Sequence, residues 1–272
     1  MPKVVILCGG AGTRLREETE YKPKPLVEVG GRPILWHIMK IYAHYGFKHF
    51  ILCLGYKGQM IKDYFLNYEL LNSDFTLEMG RKSKVHVHNG HLEGDWVVTL
   101  ANTGDAAMTG TRVKRIERYI ESETFMVTYG DGVADVDILD LYNFHRSHGR
   151  IGTVTGVRPS SRFGELIVEG EAVATFSEKP QVHEGFISGG FFVFNKGFFD
   201  YLEDSDGCIM ERGPLERLAG DGQLMVHRHQ GFWQCMDTVR DLQLLNHLWQ
   251  SPAPPWKVWE DRPCKAELPL NV

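Results

Sequence analysis

No run of about 18 apolar residues, the length that spans a bilayer, occurs in this 272-residue chain. No basic excess occurs either. Lys and Arg number 30 against 35 Asp and Glu, a net charge of −5, which argues against broad nucleic-acid binding but leaves room for a small basic pocket around a phosphorylated ligand. Cysteine is sparse. Cys8, Cys53, Cys208, Cys235 and Cys264 are odd in number and form no CxxC pair, so neither a disulfide framework nor a structural zinc site is expected, and a reducing cytoplasm is the natural compartment. The stretch before the first glycines is too short for a signal peptide. Neither an internal repeat nor a low-complexity linker is present. Two familiar nucleotide motifs are missing as well: GxGxxG would need glycine where Leu15 stands, and the Gly-Lys-Ser/Thr of a Walker A loop appears nowhere.

What is present is ordinary globular composition, 43% apolar and 24% charged, with alternating strand and helix signals. Residues 4–8 form a β-favouring apolar run that ends in Gly9-Gly10-Ala11-Gly12. Ile34, Ile38, Ile41, Tyr42 and Tyr45 mark a helix face stopped by Gly46, and residues 49–54 a second buried strand. Ile61, Tyr64, Phe65, Tyr68 and Leu71 predict one helix, Val113, Ile116 and Ile120 another. Residues 85–87 and 96–100 read as strands, and residues 125–128 as a strand ending at Gly130-Asp131-Gly132. Beyond that point strands dominate, at 153–157, 166–168, 173–177, 191–194 and 224–227, with helices near 196–202 and 214–219. A final helix carries Val239, Leu242, Leu245 and Trp249, and Pro252-Ala253-Pro254-Pro255 follows it. The pattern predicts an α/β fold: a Rossmann-like, mainly parallel sheet flanked by helices, one domain over residues 1–260 and a tail over 261–272.

Glycines after a first strand let backbone N–H groups approach phosphate oxygens, and Arg14 adds a bidentate fork. A tight turn with no ligand is the simpler alternative for the glycines alone. Lys22-Pro23-Lys24-Pro25-Leu26 adds a lysine between two prolines, held at low conformational cost and suited to clamp a triphosphate; Lys22 reads as a solvated loop residue. The Gly9-to-Leu15 loop followed by Lys22-Pro23-Lys24-Pro25-Leu26-Val27-Glu28-Val29-Gly30-Gly31-Arg32-Pro33 resembles the signature of the sugar-1-phosphate nucleotidylyltransferases. Ile34-Leu35-Trp36-His37-Ile38-Met39-Lys40 resembles their cytidylyl branch, and the likeness runs to about residue 260.

The resemblance implies a nucleotide-diphospho-sugar transferase fold, with a nucleotide half over about 1–135 and an elaborated C-terminal sugar-phosphate half over about 136–260. It implies a cytidylyltransferase that takes CTP and a sugar 1-phosphate, needs Mg2+ and serves bacterial deoxysugar or O-antigen precursor synthesis. It also implies a homo-oligomer, a hexamer, with no nucleic-acid or membrane partner. Leu7, Gly9, Gly10, Gly12, Thr13, Arg14 and Lys24 are expected at the nucleotide, with Thr109, Gly110 and Arg112. The segments 55–58 and 103–112 are expected near the base. Asp131 at a strand end and Asp237 are the expected metal carboxylates; for Asp131 an Asp-Gly turn, and for Asp237 a helix N-cap, is the simpler local reading. Tyr129, Gly164, Glu178, Lys179, Gly189 and Gly190 are expected around the sugar phosphate, Lys179 on its phosphate; the branch usually has asparagine where Ser188 stands. Arg14, Lys24, Asp131 and Lys179 are the expected catalytic set. The same chemistry with UTP, dTTP or another hexose phosphate, and an inactive nucleotide-sugar-binding regulatory subunit, are alternatives. His86 and His88, on one strand face, read as a half-solvated strand rather than a metal site.

Overall fold

The computed structural model describes residues 1–79, 84–88, 93–159, 165–169, 172–177 and 185–260. Its centre is a seven-stranded sheet built from β1 (Val4–Leu7), β2 (His49–Leu54), β3 (Val97–Asn102), β4 (Thr124–Tyr129), β5 (Gly152–Val157), β6 (Ile187–Asn195) and β7 (Leu224–Arg228). The order across the sheet is β7-β5-β6-β4-β1-β2-β3, and only β6 runs against the others. Helices cover both faces, so the central strands are continuous apolar runs. Within β1, Val4 and Ile6 join the core on one face, with α1 (Ile34–His44) and Trp256, while Val5 and Leu7 join Val113, Phe192 and Phe194 on the other. The two-residue period of a strand dictates that division. After β1 the chain builds β2 and β3 on one side, then returns to place β4 on the other. The carboxyl ends of β1 and β4 therefore flank a topological switch point, where an open α/β sheet leaves a crevice.

The α/β architecture read from the sequence is the one adopted, with local differences. The helix expected over Ile61 to Leu71 is two, α2 (Gly58–Leu66) and α3 (Tyr68–Asn72), broken where the Asn67 amide side chain donates to the Asp63 carbonyl. The helix through Val113 is α4 (Thr109–Arg115), followed by a 3-10 turn, and the turn at Lys196–Tyr201 is also 3-10. Two helices were not anticipated: a single turn at Arg16–Thr19, and α5 (Ile138–His148), the latter capped by Asp137 accepting from the Asp140 amide and ended by left-handed Gly149. The buried stripe of α5 is thin, Ile138 and Leu141 and then His145, which bonds Thr153 and Asn195 instead of presenting an apolar signal. Two further helices follow, α6 (Pro214–Gly220) and α7 (Val239–Trp249). Gly132–Ala134 pairs antiparallel with Trp233–Cys235, and the Met236 amide donates to the Asp131 carbonyl. That small ribbon fastens the end of β4 to the start of α7.

Candidate active site

The loop after β1 turns through left-handed Gly12 into a single 3-10 turn, where the Thr19 hydroxyl donates to the Gly12 and Leu15 carbonyls. Its glycines do different work. A side chain on Gly10 would meet nothing within 4 Å, so its backbone lies open to the crevice. A Cβ on Gly9 would lie 2.1 Å from Arg112 Nη1, and one on Gly55 2.5 Å from the same atom. Arg112, on α4, is buried, and its guanidinium donates to the carbonyls of Leu54, Gly104, Gly9 and Asp105 and to the Thr103 hydroxyl, at 2.8–3.4 Å. It lines the crevice, yet its donors are spent on the ends of three neighbouring chain segments. Burial pulls its pKa down, offset in part by Cys53 and Cys8. Cys8 itself is held well above its ordinary value by burial and is an inert thiol.

Two adjoining cavities occupy the crevice. The first, about 430 Å³, is lined by residues 7–14 with Lys24, Pro25, Ala107, Met108, Thr109 and Arg112. The second, about 270 Å³, is lined by Ser188, Gly189, Gly190, Trp233 and Asp237. Arg14, Tyr129 and Asp131 belong to both. At this seam Lys24, fixed by Pro23 and Pro25, places Nζ 2.6 Å from Asp131 Oδ2 and 2.6 Å from Asp237 Oδ1, and Arg14 Nη1 lies 2.6 Å from Asp237 Oδ2. Burial alone would lower the Lys24 pKa, but the Asp131 charge and the hydrogen bonds of both carboxylates outweigh it and hold the ammonium above its usual value. Asp237 is not the cap of α7. Thr238 is, in a capping box with Asp241, which leaves the Asp237 carboxylate for the crevice. Two aspartates around one cation present the oxygen donors that suit Mg2+, an ion usually held by one or two carboxylates plus substrate phosphates.

The expected sites are therefore mostly gathered here. Leu7, Gly9, Gly10, Gly12, Thr13, Arg14, Lys24 and Thr109 line the first cavity. Gly110 does not; it packs on Cys208, where a Cβ would lie 2.6 Å from the sulfur, and its amide donates to the Cys208 carbonyl. Gly55, Lys57 and Gly58 line a neighbouring cavity with Gly104 and Asp105, not this one. Lys22 opens on a larger cavity of about 870 Å³ away from the carboxylates, paired with Glu28 at 3.3 Å. That cavity is also lined by Arg32 and Asp74, but it holds none of the residues expected to bind the nucleotide, the metal or the sugar phosphate. On the second cavity, left-handed Gly190 must be glycine because a Cβ would lie 2.4 Å from Tyr129 Cδ2, and Trp233 Nε1 donates to the Gly189 carbonyl. Gly164, Glu178 and Lys179 lie outside the described residues. Glu211 was missed: Thr109 Oγ1 donates to its Oε2 at 2.6 Å and the Tyr129 hydroxyl to its Oε1, linking the two cavities' walls. Nothing in Met210-Glu211-Arg212 signals this, since its partners lie far off in sequence. His86 faces Glu78 and His88 faces Thr76 in a hairpin, and no metal-ligand group of three or more carboxylates, histidines or cysteines occurs among the described residues.

Comparison with known proteins identifies the family and the fold. The family described as Nucleotidyl transferase matches residues 3–243. A glucose-1-phosphate cytidylyltransferase of Salmonella typhi is 51% identical over 95% of this chain and all of that protein. A probable glucose-1-phosphate cytidylyltransferase of Bacillus subtilis is 46% identical over 94% of this chain and all of its own length. In fold, the crystal structure of HddC from Yersinia pseudotuberculosis superposes with a TM-score of 0.66 at 23% identity, covering 92% of this chain and all of that one.

Proposed function

This chain belongs to the nucleotidyl transferase family, and from that premise we propose that it joins CTP and α-D-glucose 1-phosphate to give CDP-glucose and pyrophosphate. The observation that carries the chemistry is the meeting of Lys24, Arg14, Asp131 and Asp237 where the two cavities join. A sugar phosphate has a second pKa of about 6 and is already a nucleophile at neutral pH, so no general base is required. The protein's work is alignment and charge stabilisation. The open backbone at Gly10, with Thr13, Arg14 and Lys24, binds the triphosphate in the first cavity. Gly189, Gly190 and Tyr129 form the floor for the sugar in the second, with Glu178 on its hydroxyls and Lys179 on its phosphate by resemblance to the family. Asp131 and Asp237 would hold Mg2+, which would supply positive charge to offset that of the phosphate oxygens. The sugar phosphate then attacks in line at the α-phosphorus, and pyrophosphate leaves toward Arg14 and Lys24.

Residues 1–135 supply the nucleotide half and residues 136–260 the sugar half of one domain. The product suits deoxysugar and O-antigen precursor synthesis in the cytoplasm, and the assembly is a homo-oligomer, a hexamer by family resemblance; no described helix is long and apolar enough to cross a membrane. A panel of NTPs and sugar 1-phosphates, read by pyrophosphate release, tests the reaction. CTP should be preferred over UTP by more than tenfold, about 1.4 kcal/mol, because the cytosine amino group is the handle that differs. A better rate with UTP or dTTP would reassign the nucleotide. Binding without turnover of any pair would favour a regulatory nucleotide-sugar-binding subunit.

A further inference from the structure

The two aspartates read as metal ligands are already ion-paired. The Lys24 ammonium stands between them, 2.6 Å from an oxygen of each, and Arg14 takes the second oxygen of Asp237. Two negative charges thus meet two positive ones. The Lys24 side chain is only 12% exposed, Asp237 15% and Asp131 27%, so water screens the Lys24 pairs less than it does Arg14, which is mostly exposed. We propose that Lys24 holds this carboxylate pair in place of a divalent cation until a nucleoside triphosphate arrives, which makes the metal site conditional on the nucleotide. The inference rests on the metal reading of Asp131 and Asp237 given above.

The physical argument is competition for the same oxygens. A free Mg2+ approaching this cluster meets little net negative charge, and to use both aspartates it must displace an ammonium that gives up two ion pairs. Mg2+ also sheds its waters reluctantly. A triphosphate changes the balance, because it offers the displaced ammonium a new anion in the same cavity wall. Pro23 and Pro25 hold the backbone in place, while the flexible four-carbon stem lets Nζ swing. Before that exchange the ammonium keeps two like-charged carboxylates side by side in the orientation a cation will need. Lys24 therefore acts twice, first as a positioning group for Asp131 and Asp237, then on the phosphates.

Mn2+, a hard divalent cation visible by electron paramagnetic resonance, tests this without turnover. Free Mn2+ is titrated with the full chain, wild type against Lys24→Met, with Lys22→Ala as control. Each is measured alone and with α,β-methylene CTP, corrected for Mn2+ bound by the analogue itself. Without nucleotide, Lys24→Met should bind Mn2+ at least about tenfold more tightly than wild type and Lys22→Ala. The gain should vanish in Lys24→Met/Asp131→Asn. With the analogue, wild type should come within a few-fold of Lys24→Met. Equal Mn2+ affinity of wild type and Lys24→Met without nucleotide, with normal uptake once the analogue is present, overturns the exchange and leaves the metal site standing. No uptake by either protein beyond the analogue's own overturns the metal reading, and the proposal with it. If Lys24→Met does not fold, Lys24→Gln, which keeps an N–H donor without the charge, carries the same comparison.

Discussion

Buried Arg112 and half-buried Lys24 are cations on the wall of one cavity, and they are satisfied in opposite ways. Arg112 is bonded by four backbone carbonyls and a hydroxyl, with no carboxylate at ion-pair distance among the described residues. The four carbonyls are main-chain groups at or just past the ends of β1, β2 and β3, and they cannot be exchanged without disturbing those segments. Lys24 is bonded by two carboxylate side chains that a ligand or metal can also engage. A cation held by carbonyls is part of the scaffold; a cation held by carboxylates can be handed to substrate.

Mutation can separate the two. Lys24→Ala should lose about 10²–10³ in kcat, the usual cost of deleting one preorganised donor, while thermal unfolding moves by about 1–2 kcal/mol, because Asp131 loses this partner but Arg14 still balances Asp237. Turnover near wild type would place the phosphate clamp elsewhere. Asp131→Asn and Asp237→Asn should each cripple turnover at low Mg2+, and a Mg2+ titration should show the double variant little worse than the weaker single, as groups serving one ion are non-additive. Fully additive losses with unchanged Mg2+ dependence would separate the two carboxylates. Arg112→Leu should reverse the pattern of Lys24, destabilising by about 3 kcal/mol in denaturant unfolding because several buried carbonyls lose their donor. Gly9→Ala, whose Cβ would collide with the guanidinium, should imitate it at about 1–3 kcal/mol. If Arg112→Leu instead leaves stability intact and raises KM for CTP alone, Arg112 is a nucleotide ligand after all. Lys22→Ala, two positions from Lys24, should change stability and turnover least, within about 0.5 kcal/mol, since its exposed pair with Glu28 is worth little. A Lys22 defect as large as that of Lys24 would erase the distinction.

The sequence distinguished Lys22 from Lys24 by the flanking prolines, and the structure places them on different cavities. It offered Asp237 two roles, cap or metal ligand, and the structure removes the first, because Thr238 takes the cap. Arg112 was legible as a cavity residue, but not as a staple, because its acceptors are carbonyls that every residue carries. Glu211 had no signal at all, and α5 hid behind a thin apolar stripe in which a histidine replaced a hydrophobic contact.

Local residue order by itself therefore settled the buried strands, the glycine turn after β1 and the rigid segment around Lys24, since apolar periodicity, left-handed backbone and fixed proline φ act within a few residues. It also carried the family signature, which is a matter of identity along the chain. Only the tertiary structure decided which charges meet. Asp131 reaches Asp237 through the ribbon of Gly132–Ala134 with Trp233–Cys235, and Lys24 reaches both because β1 and β4 are neighbours in the sheet. An ion pair depends on distance in space, and strand order, which brings together groups distant in sequence, is set by the packing of the whole core.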